Sequence, residues 1–424
     1  MKLWTLMMND KIKKILAIFL CLFTIDSFSQ SNTFSPYSRF GLGTFSNNFS
    51  SYYQSMGGAS IASLNSVYVN PSNPASYSLI QPKKFIFHTS LKNITTFLES
   101  SSENEVYNNA QLSSLIFGFP INNKIGFSSG FLPYTYSGYD LFERDVEFQA
   151  DKFYKGTGGL SKLYFGTSLK ISKSLSIGAN ASYLFGAINR EKRIIFDDES
   201  IFHSRSVERL NIKGYDYEIG LLFKNEINQN DLSLAIVLNS QSNISSKRFE
   251  LAESFEFSGF SEQVKDTFVN LTQRGELTLP QLISFGLSYK LKNLNLIGEY
   301  SIQDWSNYQL FGQSDDLISS EKLNIGLEYY NQNTNSTAYL SKVKYRFGFY
   351  NFQTPIQLNN NKINETGLTF GIGLPNQRSK TIYDLSLLLG RRGTTNDNLI
   401  AENFVEIGLS INFDAIWFIK RKYD

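Results

Sequence analysis

From about residue 84 the chain alternates apolar and polar side chains with period two, the spacing that puts successive residues on opposite faces of a strand. Phe85, Phe87 and Leu91 share one face, and His88, Ser90 and Lys92 share the other. Leu163, Phe165, Leu169 and Ile171 oppose Lys162, Gly166, Ser168 and Lys170. Leu175, Ile177, Ala179, Ala181, Tyr183 and Phe185 oppose Ser176, Gly178, Asn180 and Ser182. The pattern returns at 283–289 and 323–329 and closes at Val405, Ile407, Leu409, Ile411 and Phe413. Many of these segments run to ten residues or more. Strands of soluble proteins average about five or six residues, whereas a tilted strand needs about nine to eleven to cross a bilayer.

The connections carry a second signal. Short turns fall near Asn122-Asn123, Ser172-Lys173-Ser174, Asn225–Asn230, Lys292-Asn293, Asn331–Asn335 and Pro375–Lys380. Between them lie longer polar connections at 137–160, 190–208, 245–278, 311–320, 350–364 and 393–402. Short and long alternate, as in outer-membrane barrels with tight periplasmic turns and extended outer loops. Counting segments predicts an all-β fold, a transmembrane antiparallel β-barrel of about fourteen strands, with both termini on the periplasmic side. Lipid offers no hydrogen-bond partner, so such a sheet must close on itself. A soluble sandwich, solenoid or propeller fits less well, because the chain has no fixed-period repeat and its turn signals are widely spaced. Tyr134, Tyr136, Tyr183, Phe185 and Trp305 are expected near strand ends, in interfacial girdles.

The N-terminal part does not alternate. Lys11, Lys13 and Lys14 precede an apolar run from Ile15 to Phe23, too short to span a bilayer and of the size of a signal-peptide core. Ser27-Phe28-Ser29 supplies small residues at a cleavage site, so residues 1–29 are read as a signal peptide and the mature chain as starting at Gln30. Residues 30–82 are rich in Ser, Asn and Gly and broken by Pro36, Pro71, Pro74 and Pro82. Left as a tail, they would strand Phe40, Leu42, Phe45, Tyr52, Tyr53, Ile61, Val67 and Tyr68 in water. Packing the segment into the lumen as a plug buries them. The barrel is expected over 83–414, followed by a tail over 415–424.

Composition narrows the function. The chain has 424 residues, 40 Lys and Arg against 38 Asp and Glu, and 15% aromatic residues. So many aromatics exclude a disordered protein, and the absence of a basic surplus argues against a nucleic-acid partner. Cys21, the only cysteine, lies in the signal segment, so the mature chain has neither a disulfide nor a thiol nucleophile.

Candidate chemistry is thin. The two histidines are His88, on the predicted lumen face of the first barrel strand, and His203, in a long polar connection. Ser90 lies two residues from His88 on the same face, a loose basis for a nucleophile–base pair. Asp197-Asp198-Glu199 reads as a solvated turn rather than a cation site, and no His pair has metal-ligand spacing. No catalytic, cofactor-binding or metal-binding residue is assigned, and the chain is not expected to be an enzyme.

Two groups of motifs carry a resemblance. Gly57-Gly58-Ala59 and then Asn73-Pro74-Ala75 stand between the signal segment and the barrel. Later come Leu279-Pro280, Phe285-Gly286-Leu287-Ser288-Tyr289, Gly298-Glu299-Tyr300 and Asp304-Trp305-Ser306. In these features the sequence resembles the FadL-type family of outer-membrane transporters of hydrophobic compounds, whose N-terminal hatch carries an Asn-Pro-Ala element. The resemblance implies a fourteen-stranded barrel in the outer membrane of a Gram-negative bacterium, plugged by a hatch that includes Gly57, Gly58, Asn73, Pro74 and Ala75. It also implies passive uptake of hydrophobic compounds such as long-chain fatty acids, often released sideways through a gap in the wall. Implied partners are the bilayer and a hydrophobic ligand. The alternative is a non-transporting scaffold barrel bound to other envelope proteins, as FadL-like barrels are in type IX secretion assemblies. The chain departs from the family past Phe413, where it continues through Trp417 to Lys420-Arg421-Lys422. Mass spectrometry of the protein extracted from membranes is expected to find Gln30 as the first residue; a chain still carrying Lys11 to Lys14 would contradict the signal-peptide reading.

Overall fold

The structure is a computed structural model that describes residues 33–46, 49–101, 103–331, 339–376 and 379–417. The signal segment, Gln30 and residues 418–424 lie outside the described residues. After the two-residue strand β1 (Thr44–Phe45) and a one-turn α-helix (Ser51–Gln54), the chain is almost entirely strand. The first long strands are β2 (Lys84–Glu99), β3 (Asn104–Pro120), β4 (Ile125–Asp145), β5 (Ala150–Lys170), β6 (Leu175–Phe196) and β7 (His203–Ile227). They are followed by β8 (Asn230–Asn239), β9 (Ser242–Ser258), β10 (Ser261–Leu279), β11 (Leu282–Leu291), β12 (Leu294–Gln303) and the short β13 (Gln309–Leu310). The last five are β14 (Ser320–Tyr329), β15 (Lys344–Leu358), β16 (Asn361–Pro375), β17 (Ile382–Arg392) and β18 (Ala401–Ile416).

Neighbours in sequence pair antiparallel around a closed wall. β18 returns to β2, from Ala401 opposite Glu99 to Ile416 opposite Lys84. β8 pairs directly with β11, Asn239 opposite Leu282, so β9 and β10 leave the wall as a hairpin whose β9 pairs with the upper part of β7. The closed barrel therefore has 14 strands, the number read from the sequence. Its outer face carries the predicted apolar residues, among them Phe165, Leu169, Leu323 and Ile325, while Ser168, Ser176, Asn180 and Ser182 are buried inside.

One end of the barrel has tight turns at 121–124, 171–174, 228–229 and 292–293, as expected. The other end differs from the expectation of long polar loops. β4 and β5 stay paired from Ile125 opposite Leu169 to Asp145 opposite Ala150, which leaves only 146–149 as a turn. The stretches 190–208, 245–278 and 350–364 are likewise paired strands around short turns, whereas 311–319 and 393–400 are largely irregular. Beyond the lipid no apolar exterior is required, so the hydropathy period disappears while the backbone ladder continues. Cross-strand ion pairs hold it there: Arg144 with Asp151 and Asp197, Arg193 with Glu262, Arg205 with Glu253 and Glu262. β7 has 25 residues, roughly 80 Å at ~3.3 Å per residue, against a hydrocarbon core of ~30 Å.

The segment from Phe49 to Ile80 crosses the lumen and touches opposite walls. Ser114 Oγ of β3 donates to Phe49 O (2.6 Å), Ser233 Oγ of β8 to Ala62 O (2.6 Å), and Tyr68 OH donates to Asp384 of β17 (2.8 Å). Tyr52, Tyr53, Met56, Tyr68 and Tyr77 are all buried. Each such side chain contributes about 1.5–3 kcal/mol of burial. The wall makes room with inward-facing glycines. A Cβ on Gly178 of β6 would overlap the backbone of Pro74 and Ala75, one on Gly348 of β15 would overlap Gly57, and one on Gly126 of β4 would overlap Tyr77.

Of the aromatics expected in girdles, Tyr183 and Phe185 pack on the outside with Tyr215, whereas Tyr134 and Trp305 pack into a lumen cluster and Tyr136 lines an interior cavity. An aromatic near a strand end satisfies a core as well as an interface, and here the core wins. Gly178→Leu is expected to lower the urea midpoint of the detergent-solubilised barrel, at a cost of about 1–3 kcal/mol for overpacking. Gly298→Ala, where a Cβ meets nothing within 4 Å, should leave the midpoint unchanged.

Candidate functional site

At the long-hairpin end the lumen holds an apolar chamber. Leu160, Leu184, Ile188, Leu210 and Ile212 come from the wall, Ile244 and Leu277 from the base of the β9–β10 hairpin, and Trp305, Tyr308 and Leu317 from the connection after β12. Asp304 positions Trp305 by capping the short helix Trp305–Asn307: its carboxylate accepts from Ser306 N (3.2 Å), Ser306 Oγ (2.7 Å) and Ser319 Oγ (2.9 Å). The chamber is occupied by the chain itself, because Phe40, Leu42 and Phe45 pack into it. A cavity of about 40 Å³ remains beside Leu42, Trp305 and Ile356.

Next to this chamber the wall comes apart. β3 and β4 pair only from Pro120 opposite Gly126 to Leu115 opposite Phe131. Beyond that point β3 continues against β2, and β4 continues against β5, without pairing with each other. Two local features separate them. Ser113 is an extra residue, since Ser90 opposes Ser114 while Leu91 opposes Leu112. On β4, Pro133 has no N–H, and Tyr134 is skipped between Pro133 opposite Ser161 and Thr135 opposite Leu160. Bulges bend a strand away from its partner, and proline marks an edge.

The exposed edge of β4 is met from inside by the N-terminal arm, residues 33–46. Ser35 N donates to Gly138 O (2.8 Å), Gly138 N to Ser38 Oγ (3.0 Å) and Ser46 N to Tyr134 O (2.9 Å), with β1 placing Thr44 opposite Tyr136. Across the seam Phe34 stacks on Tyr107 of β3 at 4.2 Å. The arm thus stands in for the missing strand.

Charged side chains fasten the arm and the crossing segment to the opposite wall. Arg392 pairs with Glu365 (2.6 Å) and Glu402 (3.0 Å), and Ser35 Oγ of the arm donates to Glu402 (2.5 Å). Arg346 pairs with Glu328 (2.7 Å) and Asp384 (2.8 Å), and its guanidinium lies 4.3 Å from the centre of the Tyr52 ring. Gln54 Nε2 donates to Glu406 (2.5 Å). A cavity of about 90 Å³ behind the seam is lined by Phe34, Phe45, Lys92, Gln111, Lys322 and Glu406. A deeper one of about 260 Å³ contains Tyr134, Lys162, Asp216, Glu218, Glu299 and Trp305. Both mix apolar and charged walls.

The residues singled out from sequence fall in the crossing segment. Gly57 and Gly58 have φ of 68° and 86°, and Gly57 N donates to Thr369 Oγ1 (2.9 Å) and Gln54 O (3.1 Å), so they form a turn packed against β14 and β15. Asn73 Oδ1 accepts from Ala75 N (3.0 Å) while its Nδ2 donates to Ile61 O (2.7 Å), which staples the Asn73-Pro74-Ala75 turn to the preceding chain beside Gly220 of β7.

His88 is buried on the lumen face as predicted, and Ser90 Oγ accepts from Ser410 Oγ (2.9 Å). His203 is the first residue of β7 rather than part of a loop; its Nδ1 accepts from Phe196 N (3.2 Å) and its ring packs on Phe255 and Phe257. In the acidic triplet, Asp197 pairs with Arg144, whose hydrogen bond holds that carboxyl below its ordinary value, and Asp198 closes a turn on Ser200 N (2.8 Å). Among the described residues no cluster of His, Cys, Asp and Glu is placed to hold a metal. Sequence reasoning missed Arg346, Arg392 and the seam. The signals were present as charges at lumen positions of otherwise apolar strands, and as Pro133 inside a strand.

A closed fourteen-stranded barrel with these features has the fold of the FadL-type outer-membrane transporters. It is similar to the CymD monoaromatic hydrocarbon channel, with 14% identity, TM-score 0.56, and coverage of 89% of this chain and 99% of that one. It is also similar to the P. putida toluene transporter TodX, with 13% identity, TM-score 0.58, and coverage of 88% and 100%. A Pseudomonas aeruginosa FadL homologue gives 10% identity, TM-score 0.56, and coverage of 89% and 100%. The first two are named as a hydrocarbon channel and a toluene transporter, and the likeness of all three to this chain is one of fold. The sequence profile of the BamG family matches residues 11–424, and the chain belongs to the BamG family. No curated protein matches the sequence. Arg392→Met, which leaves Glu365 and Glu402 buried without their cation, is expected to destabilise the folded barrel by about 3–5 kcal/mol, read as a lower temperature of the folded-to-unfolded shift on unboiled gels.

Proposed function

We propose that the protein passes hydrophobic compounds across the outer membrane, oriented with its long hairpins outside the cell and its C-terminus in the periplasm; the arm that begins at Thr33 starts near the outer end of β4 rather than at the periplasmic end. A solute enters the chamber around Trp305 and Leu317, takes the place of Phe40, Leu42 and Phe45, and leaves sideways through the seam when the arm withdraws. Residues 30–82 act as the hatch, with the crossing segment forming a fixed floor and the arm forming the movable part. The observation that carries this reading is the seam itself, a break in the wall beside an apolar chamber, filled only by a segment of the same chain. An apolar solute gains little from a water-filled pore but partitions readily into a chamber of Leu, Ile and Trp and then into lipid. Monoaromatic hydrocarbons and toluene are named for the similar channels; long-chain fatty acids are the finer reading drawn from the family resemblance.

A second reading has support in the same geometry. Arg346 and Arg392 hold the lumen segment through buried ion pairs, as suits a fixed scaffold in an envelope or type IX secretion complex. One experiment separates the two. Cys21, in the expected signal segment, is the only cysteine, so Thr44→Cys with Tyr136→Cys in a Cys21→Ser background, at opposed positions of β1 and β4, introduces a single pair that ties the arm to the seam. Uptake of radiolabelled toluene and oleate by cells is expected to fall to the level of a deletion strain when the pair is oxidised, and to return on reduction. Equal uptake in the oxidised, reduced and deletion strains would favour the scaffold.

A further inference from the structure

β10 forms the outer strand of the hairpin that leaves the wall, and one of its edges is nearly unused. β9 covers the other edge along the full length, from Ser261 opposite Ser258 to Leu279 opposite Ser242. On the open side, β13 pairs only at the base, with Leu277 opposite Leu310 and Thr278 opposite Gln309, and Phe311 N donates to Glu276 O (2.9 Å). Above Glu276 no backbone among the described residues meets that edge. Every residue from Ser261 to Thr272 is exposed, including Val264 (50%), Phe268 (65%) and Leu271 (43%).

We propose that this edge is a strand-addition site for an extended segment of another polypeptide outside the cell. A row of unpaired N–H and C=O groups is matched by another backbone. Near the hairpin tip, irregularities at Lys265 and Phe268 interrupt the ladder, a common protection against edge pairing. From Val269 to Glu276 the ladder is regular, and it runs directly into the pairing that β13 has begun. The incoming strand continues β13 upward, antiparallel to β10.

Charge adds a constraint. Neither Arg274 nor Asp266 has an ion-pair partner among the described residues, and they lie eight positions apart on β10. A matching strand carries a carboxylate opposite Arg274 and a cation toward Asp266. A second copy of this chain does not fit. Antiparallel self-pairing of a strand that rises from the membrane would turn one barrel upside down. A two-fold axis along the membrane normal sets equal residues at equal height, whereas a parallel ladder is slanted and needs a stagger.

The test compares intact outer membranes with the purified full-length protein. Amide hydrogen exchange over Val269 to Gly275 is expected to be at least tenfold slower in the membranes, and Arg274→Glu should remove most of that difference. A photo-crosslinking residue placed in turn at each position from Val269 to Arg274 in living cells should give adducts with a period of two, of a mass other than twice this chain. Equal exchange in the two preparations overturns the proposal. Adducts without periodicity, or at the mass of a dimer, also overturn it. Hydrocarbon uptake has no part in either readout, so the proposal stands or falls apart from the transport reading.

Discussion

Lipid cannot hydrogen-bond a peptide group, and that single constraint organises the molecule. An unpaired backbone group in hydrocarbon costs several kcal/mol, so the sheet must close, and β18 meets β2 over their full lengths. The same constraint makes the break between β3 and β4 informative. At the bulge at Ser113 and at Pro133 the wall gives up its own pairing, and the chain sends an arm through the lumen to supply backbone partners to Tyr134 and Gly138.

The lumen divides into two levels of different character. Around the crossing segment, inward glycines let the backbone of the segment approach the wall, and Tyr52, Tyr68 and Gln54 meet Arg346, Asp384 and Glu406. Removing one member of such a buried set leaves a charge without compensation, which gives the floor its fixity. Toward the long hairpins, the arm packs through Phe40, Leu42 and Phe45, and its contacts to Glu402, Asp315 and Arg190 are hydrogen bonds of Ser35 and Gly41 rather than ion pairs. The difference between the two levels is the physical basis for treating one part of the N-terminal region as fixed and the other as movable.

The strand count and the inside–outside assignment could be read from the sequence because lipid enforces an apolar residue at every second position, as in Phe165 and Leu169 against Ser168. The same rule stops at the membrane surface, which is why the paired hairpins built on Arg144, Arg193 and Arg205 were expected to be loops. Trp305 was assigned to an interface, although an aromatic at a strand end suits a core equally well; the Asp304-capped turn and packing on Phe45 and Tyr308 hold it in the lumen. The seam depends on one extra residue, Ser113, in a run of small polar residues, and no periodicity marks it. The lumen glycines, by contrast, were visible as Gly166, Gly178 and Gly408 on the polar faces of strands, and their spacing against a bulky segment was the missing clue.

The account turns on the arm serving as the partner strand of β4, and residue-resolved amide exchange in lipid nanodiscs tests this most directly. In the intact chain the amides of β4 should be slow from Phe127 to Gly138. With residues 33–46 deleted, the amides of Tyr136 and Gly138, which face the arm, should exchange at least tenfold faster, while Phe127 to Phe131 remain slow. Unchanged exchange above Phe131 in the deleted chain would contradict the account.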